Sequence, residues 1–453
     1  MTISIKHWLY VGVTALLVTA CDSRLDVVPT TSIEASQALN TEQDVQITLT
    51  GAYDGLSSIN LYGGGIQYIS ELLGNNRDFN FNGTFSTLLE LSARTVAPSN
   101  AVVRDFWLDG YNTINRANNV LSALDKVSED NRSSVEGQAR FIRGALYFEL
   151  VKAFAKDWGD GTPAQNLGVP IVLTPTGSIS DADLRARNTV AEVYAQALDD
   201  LTKAEELLPA EQSNIGFATK GAAQAILARV YLQQQNYASA RDAANRVIES
   251  GTYSLAPSFA DVFTDASAGN QAEVIFRIVV STQDGTNDLN TYFASSLNQG
   301  RGDIRLQQQF LQLYGAGDVR GQFINTASIN TFTSKFNDQF GDVPVVRLAE
   351  MYLIRAEANL RLNTSVGASP LEDVNLIRNR AKATPLTTVD LNAILLERRL
   401  ELSFEGQRLA DVKRTKGSVG TTPFNADNLV LPIPQREIDT NKNLVQNPGY
   451  GPI

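Results

Sequence analysis

Along most of the chain, apolar residues recur at three- and four-residue spacing, the rhythm of helices that bury one face. Thr41 followed by Glu42 and Asp44 reads as an N-cap with an acidic first turn, leading into a helix through Ile47 to Leu56. The stretch from Asn60 to Asn100 is rich in Gly, Asn and Phe, and predicts loops with short elements. The rhythm returns at Phe106, Tyr111, Ile114, Ala117 and Leu121, predicting a helix from about Asn100. A partner runs from Ser134 through Ala139, Ile142, Leu146 and Leu150 to Phe154, and is ended by Gly159 and Gly161. A third, Val190 to Leu208, sets Tyr194, Leu198, Leu201 and Leu208 on one face and stops at Pro209.

A repeat signal follows. Ala228, Tyr231, Ala240, Ala244 and Val247 stand at tetratricopeptide spacings, with Tyr237 between two predicted helices, Lys220 to Gln235 and Ala238 to Ser250. Small residues at the crossing points let helix backbones approach while aromatics fill the grooves. A looser echo carries Ala356 and Leu360 and then, past a loop from Asn363 to Pro370, Val374, Ile377 and Ala381. Between the two lies an irregular region, about Tyr253 to Pro344, where the β-branched run Glu273 to Val280 predicts a strand. The expected fold class is mostly α: a tetratricopeptide-like helical-repeat scaffold with a loop-rich binding face and minor β. In such a design the frame is rigid and the loops do the work.

Composition changes this picture mainly at the N-terminus. Met1 to Ala20 has a polar start with Lys6 and His7, an apolar run from Trp8 to Val18, and small residues before Cys21. That is the layout of a secretory signal, and the run is far short of the roughly 20 residues a spanning helix needs. Leu17-Val18-Thr19-Ala20-Cys21 resembles a bacterial lipobox, so Cys21 is the expected lipidation site and mature N-terminus. Two or more acyl chains would anchor it stably. Removing Lys6 would take the net charge from -11 to -12, a surface that repels nucleic acid. His7 is the only histidine and Cys21 the only cysteine, so a mature chain lacks catalytic triads, Cys-His pairs and His- or Cys-ligated zinc. No cofactor or metal site is expected. Asp78-x-Asn80-x-Asn82-Gly83 begins like an EF-hand loop, but position twelve is Leu89, and Gly63-Gly64-Gly65 lacks the Lys-Ser/Thr of a phosphate loop.

The C-terminal third carries a family resemblance. Glu397-Arg398-Arg399-Leu400-Glu401-Leu402-Ser403-Phe404-Glu405-Gly406-Gln407-Arg408, with Asp411 and Arg414 after it, resembles the signature helix of SusD/RagB lipoproteins. Leu431-Pro432-Ile433-Pro434 through Asn447-Pro448-Gly449-Tyr450, Phe141-Ile142-Arg143-Gly144 and Leu25-Asp26-Val27-Val28-Pro29 fit the same family in the same order. Read physically, the signature is a charged helix with exposed pairs such as Arg398 with Glu401, worth about 0.2–0.5 kcal/mol each. Glu397, Glu401 and Glu405 stack at i, i+4, and read as a structural charge network in preference to an acid/base site.

The resemblance implies three divisions: a leader at 1–20, an N-terminal region at 21–225 with helical repeats, and a C-terminal region at 226–453. The last would hold the loop insert at about 253–344 and the signature helix at about 391–415. It further implies an outer-membrane protein facing the exterior through a lipid anchor. Such a protein would sit on a SusC-type TonB-dependent transporter and capture oligosaccharide without catalysis. A peptide-binding RagB-like uptake protein is the alternative, and a carboxylate-dependent surface glycosidase the rival of another class. Two segments interleave polar and aromatic groups suited to sugars. The first, Glu71 to Phe85, offers Asn75, Arg77, Asp78, Phe79 and Phe81, with Asn100 beyond it; the second, Tyr292 to Phe336, offers Tyr292 and Tyr314. Many glycan-binding members carry a tryptophan after the first loop, whereas here none stands between residues 80 and 106.

Overall fold

The computed structural model describes residues 39–177, 180–264, 272–283 and 285–451. The leader, Cys21 and the Leu25–Pro29 segment lie outside the described residues. Helix α1, Glu42–Leu56, begins at a capping box in which Thr41 and Asp44 exchange side-chain and backbone hydrogen bonds. Helix α2 (Gly65–Gly74), strand β1 (Phe79–Phe81) and helix α3 (Ser86–Ala93) fill the stretch expected to be mostly loops. Helix α2 buries Ile66, Gln67, Tyr68, Ile69, Glu71, Leu72 and Leu73, so the fold encloses its polar residues along with its apolar stripe. Then come α4 (Ala101–Ser122), α5 (Glu129–Phe154), α6 (Val190–Leu207), α7 (Lys220–Gln233) and α8 (Tyr237–Glu249).

The irregular region holds strand β2 (Val274–Ile278), the short helix α9 (Asp288–Phe293), and strands β3 (Ile304–Leu306), β4 (Ile324–Ala327) and β5 (Asn330–Thr333). Strand β6 (Val343–Arg347) pairs antiparallel with β2 and leads straight into α10 (Leu348–Leu362). Helices α11 (Pro370–Arg380), α12 (Leu391–Glu401) and α13 (Arg408–Arg414) complete the frame. A second antiparallel sheet runs β1-β3-β5-β4. In it β1, from the first half of the chain, joins the insert: Phe79 faces Leu306, Asn80 faces Arg305 and Phe81 faces Ile304.

The helices stack in chain order, each antiparallel pair leaning on the next, as a solenoid of helical hairpins does. The α7/α8 pair forms where the repeat spacing predicts it. Ala222, Ala223, Ala225 and Ala228 meet Ala240, Ala243 and Ala244, all buried. The looser echo is also a hairpin, α10/α11, turned at Asn363 in the left-handed conformation. Two arginines stitch successive hairpins in the same way. Arg143 on α5 holds Asp200 with two guanidinium donors (2.8 and 2.7 Å) and reaches Asn118 on α4 at 2.8 Å. Arg355 on α10 holds Asp373 on α11 (2.9 and 2.6 Å) and reaches Asn245 on α8 at 2.7 Å. One apolar core runs from Val45 to Leu444, and position 225 lies inside α7, so the two expected regions share a single interior.

The signature segment departs from the single helix expected. Helix α12 ends at Glu401, and Phe404 and Gly406 take positive φ angles of 67° and 81° before α13 starts. Gly406 is required there: a Cβ would stand 2.9 Å from Gln67 Cα of α2. The expected surface pairing of Arg398 with Glu401 is also corrected. Both side chains are buried; Arg398 donates to Asp411 at 3.2 Å, and Glu401 accepts from Arg347 (2.6 Å), Arg320 (3.1 Å) and Arg380. Five cations, Arg320, Lys335, Arg347, Arg378 and Arg380, meet five carboxylates, Glu273, Asp318, Glu397, Glu401 and Glu405. The network ties α12 to β6, α11 and the insert. The structural reading of Glu397, Glu401 and Glu405 fits this geometry.

Candidate functional site

The residues singled out in the first loop divide between structure and surface. Asn75 closes the turn after α2: its Nδ2 donates to the Phe79 carbonyl at 2.8 Å and its Oδ1 accepts from the Asp78 amide at 3.0 Å. Arg77 is exposed, with φ 61°. Asp78 is buried against Arg399, which claims the carboxylate that an EF-hand would need. Phe79 is core, edge-on to Phe404. Phe81 is half-buried against that core.

Asn100 is buried as the N-cap of α4 and donates to Glu90 at 2.8 Å. Tyr314 is turned inward, its hydroxyl donating to the Leu400 carbonyl at 3.2 Å. These inward roles withdraw Asp78, Phe79 and Asn100 from contact with a ligand. Each reads as polar or aromatic loop in the sequence, but pairing of β1 with β3 draws that loop into the core. Of the original set, Asn75, Arg77, Phe81, Tyr292 and Tyr314 keep surface.

Tyr292 does so in company. Its ring meets Tyr68 of α2 edge-on at 5.2 Å and Phe85 edge-on at 6.4 Å. Phe85, just before α3, is 45% exposed, and the Arg301 guanidinium lies over its ring at 4.4 Å. The arginine is fixed from both sides, donating to Asp303 at 3.1 Å and to Thr84 at 3.2 Å. β-pairing brings these loops together: directly after the β1–β3 ladder, the Asn82 amide donates to the Asp303 carbonyl at 2.6 Å.

Asp288 stands one helical turn before Tyr292, so the two share a face of α9. Burial raises its carboxyl to about 6, pushes the Tyr292 phenol up to about 12 and raises that of Tyr68 well above its ordinary value. The Gly63-Gly64-Gly65 run lets the preceding loop fold onto itself: at Gly65 a Cβ would lie 2.4 Å from the Asn60 carbonyl oxygen.

Beside this patch, Asp109 accepts from Ser58 (2.5 Å) and Asn60 (2.9 Å), and Arg104 pairs with Asp105 at 2.8 Å. A separate interior cavity between α2, α5 and α13 has its polar lining satisfied by Lys152–Glu149 at 2.7 Å and Gln233–Asp157 at 3.0 Å, which suits a packing gap.

The surface is thus an exposed phenyl ring stiffened by arginine, two phenols and a carboxylate, all on rigid elements. Flat apolar ring faces with equatorial hydroxyls fit such a surface. Tyr68, Phe85, Asp288 and Arg301 were not among the sequence candidates. Phe85 closes the segment that drew attention; the others sit in an amphipathic helix and a short turn with no periodic signal.

Comparison with known proteins decides the family. A family profile described as "Starch-binding associating with outer membrane" matches residues 25–232. The SusD family profile matches 322–427 and 415–450. The chain belongs to the SusD/RagB family. SusD-like protein P2 of Formosa agariphila is 26% identical over 94% of this chain and 96% of its own length. Starch-binding protein SusD of Bacteroides thetaiotaomicron is 33% identical over 24% of this chain and 22% of its own. A crystallised SusD superfamily protein of Bacteroides thetaiotaomicron superposes with a TM-score of 0.79 at 26% identity, covering 90% of this chain and all of that one.

Membership places the chain among the outer-membrane-associated, glycan-binding proteins of the SusD type. Among the described residues no helix is long and apolar enough to cross a membrane.

Proposed function

We propose that this SusD-family protein captures oligosaccharide on the cell exterior, held to the outer membrane by lipid on Cys21, and hands it to a SusC-type TonB-dependent transporter. The observation that carries the reading is the exposed Phe85 ring, held in place by Tyr292 and Arg301, with hydroxyl and carboxylate groups arranged around it. Sugar faces stack on aromatic rings while their hydroxyls seek polar partners in fixed positions. Binding without catalysis is supported by Glu397, Glu401 and Glu405, which are each held by arginine or lysine in the interior and face no cleft. The leader, N-terminal and C-terminal divisions at 1–20, 21–225 and 226–453 belong to the same proposal.

Calorimetry or affinity electrophoresis with a panel of oligosaccharides tests it. Phe85→Ala should weaken binding by about tenfold or more, given the roughly 1.5 kcal/mol such ring contacts contribute, with the melting temperature unchanged. Reducing-end release by the purified protein would replace capture with hydrolysis. Absence of any glycan binding, with the barrel partner still co-purifying, would leave only a scaffold.

A further inference from the structure

Within this patch the fold leaves three polar groups unanswered. Tyr68 is 3% exposed, yet its hydroxyl has no hydrogen-bond partner among the described residues. The hydroxyl of Tyr292 and the carboxylate of Asp288, both partly exposed, likewise have no protein hydrogen bond among the described residues. A carboxylate partly withdrawn from water and without a protein donor keeps its acceptor capacity for a ligand's hydroxyls.

Asp288 is also held where it stands. It packs beside Gly64, whose φ is 144° and where an added Cβ would stand 3.0 Å from the Asp288 Cβ. The groups facing it are Tyr68 of α2, Asp105 of α4 through Tyr68, and Tyr292 of its own helix. The two nearby arginines are spoken for: Arg301 by Asp303, and Arg104 by Asp105 through two bonds of 2.8 and 3.1 Å. The patch therefore holds two internally neutral ion pairs, plus the charge of Asp288, which neither arginine pairs.

We infer that this site selects uncharged glycans, with vicinal hydroxyls donating to Asp288 and meeting the Tyr68 and Tyr292 hydroxyls while the ring lies on Phe85, and rejects uronate-bearing or sulfated ones. The inference rests on the capture reading above and goes beyond it by naming the ligand class. A sugar diol offers what the site lacks, hydrogen-bond donors to an ionised oxygen, and bonds of that kind are about twice as strong as neutral ones. A second carboxylate or a sulfate would face Asp288 with neither Arg301 nor Arg104 free to offset it, on a chain already at -11. Phenol hydroxyls donate and accept, so they adapt to either hydroxyl orientation.

The test is the affinity of the full mature protein for matched neutral and acidic oligosaccharides, meaning the same backbone with and without uronate or sulfate, at low and high salt. The expected result is binding of a neutral member, with its acidic counterpart at least about tenfold weaker at low salt. Asp288→Asn removes the charge and keeps the shape. It should weaken the neutral ligand by about tenfold and shrink the neutral-to-acidic preference. In the unsubstituted protein, affinity for the neutral ligand should fall as pH drops through about 6, where Asp288 protonates, and that dependence should vanish in the variant. Equal or tighter binding of the acidic ligand, or an Asp288→Asn protein with unchanged affinity and preference, overturns the inference. If Phe85→Ala abolishes binding while Asp288→Asn is silent, capture stands and the charge selection falls. If neither ligand binds, the capture reading falls with it.

Discussion

At the scale of single residues, the same chemical groups serve opposite ends depending on where pairing puts them. Phe79 and Phe85 are six positions apart; one is sealed against Phe404 and the other faces solvent. Phe79→Ala should therefore destabilise by about 3–5 kcal/mol in chemical unfolding, where Phe85→Ala should cost binding instead.

Carboxylates divide likewise. Glu401 accepts from three arginines and its carboxyl is held well below the usual range, the favourable pull of those cations outweighing its burial. Glu401→Gln leaves Arg320, Arg347 and Arg380 short of charge in the interior. A loss of about 3–5 kcal/mol is expected, and an equilibrium urea titration reads it. A near-silent variant would mean that the network contributes little net stability.

At the scale of elements, legibility tracked periodicity. Helices α4, α6 and α8 were readable because each buries one stripe, and α5, α7 and α10 because they are long apolar runs with caps or repeat spacing, although they are buried nearly all round. Helix α2 was not read because it is only ten residues long and lies in a stretch whose Gly, Asn and Phe content looks like loop. The break after α12 was missed although Gly406 is a helix-ending residue type, because the charged rhythm resumes at Arg408 and Asp411; the approach of α2 explains why the turn falls there.

The site was half legible. Tyr292 and the loop ending at Phe85 could be suspected from their polar-aromatic mixture. Arg301 and Asp288 acquire meaning only through contacts more than two hundred residues away in the chain, Arg301 with Thr84 and Asp288 with Gly64.

Close approach between elements gives a second test. At Gly144 on α5 a Cβ would stand 2.9 Å from Leu201 Cγ and 3.0 Å from the Ala197 carbonyl of α6. Gly144→Ala should push the helices apart, at a cost of about 1–3 kcal/mol despite alanine's better helix propensity. A stabilised variant in thermal melts would show that the α5/α6 seam has slack.

For the whole molecule, buried charge sets the response to pH. Glu401, Glu405, Glu357 and Asp411 all have folded pKa values below their unfolded ones, through the arginines and lysine beside them. Their stabilisation is complete above the unfolded values of 4.5 and 3.8 and is lost as pH falls below them.

Glu71 and Asp288 run the other way, raised by burial to about 8 and about 6. Their burial penalty is present above those values and is relieved as they protonate on acidification. The melting temperature should therefore climb as pH is lowered from about 9 toward 5, then drop steeply below about 4. Calorimetric scans across that range check it, and a melting temperature that stays flat between pH 9 and 5 would argue against buried Glu71 and Asp288.

The ladder between β1 and β3 has a consequence in time. Phe79 to Phe81 are synthesised more than two hundred residues ahead of Ile304 to Leu306. Until the later strand arrives, Phe85 has no Arg301 to brace it and no Tyr292 beside it. Long-range pairings of this sort close late in folding. A chain still being made therefore lacks the proposed sugar-binding surface, which can form only once nearly two thirds of its length exists.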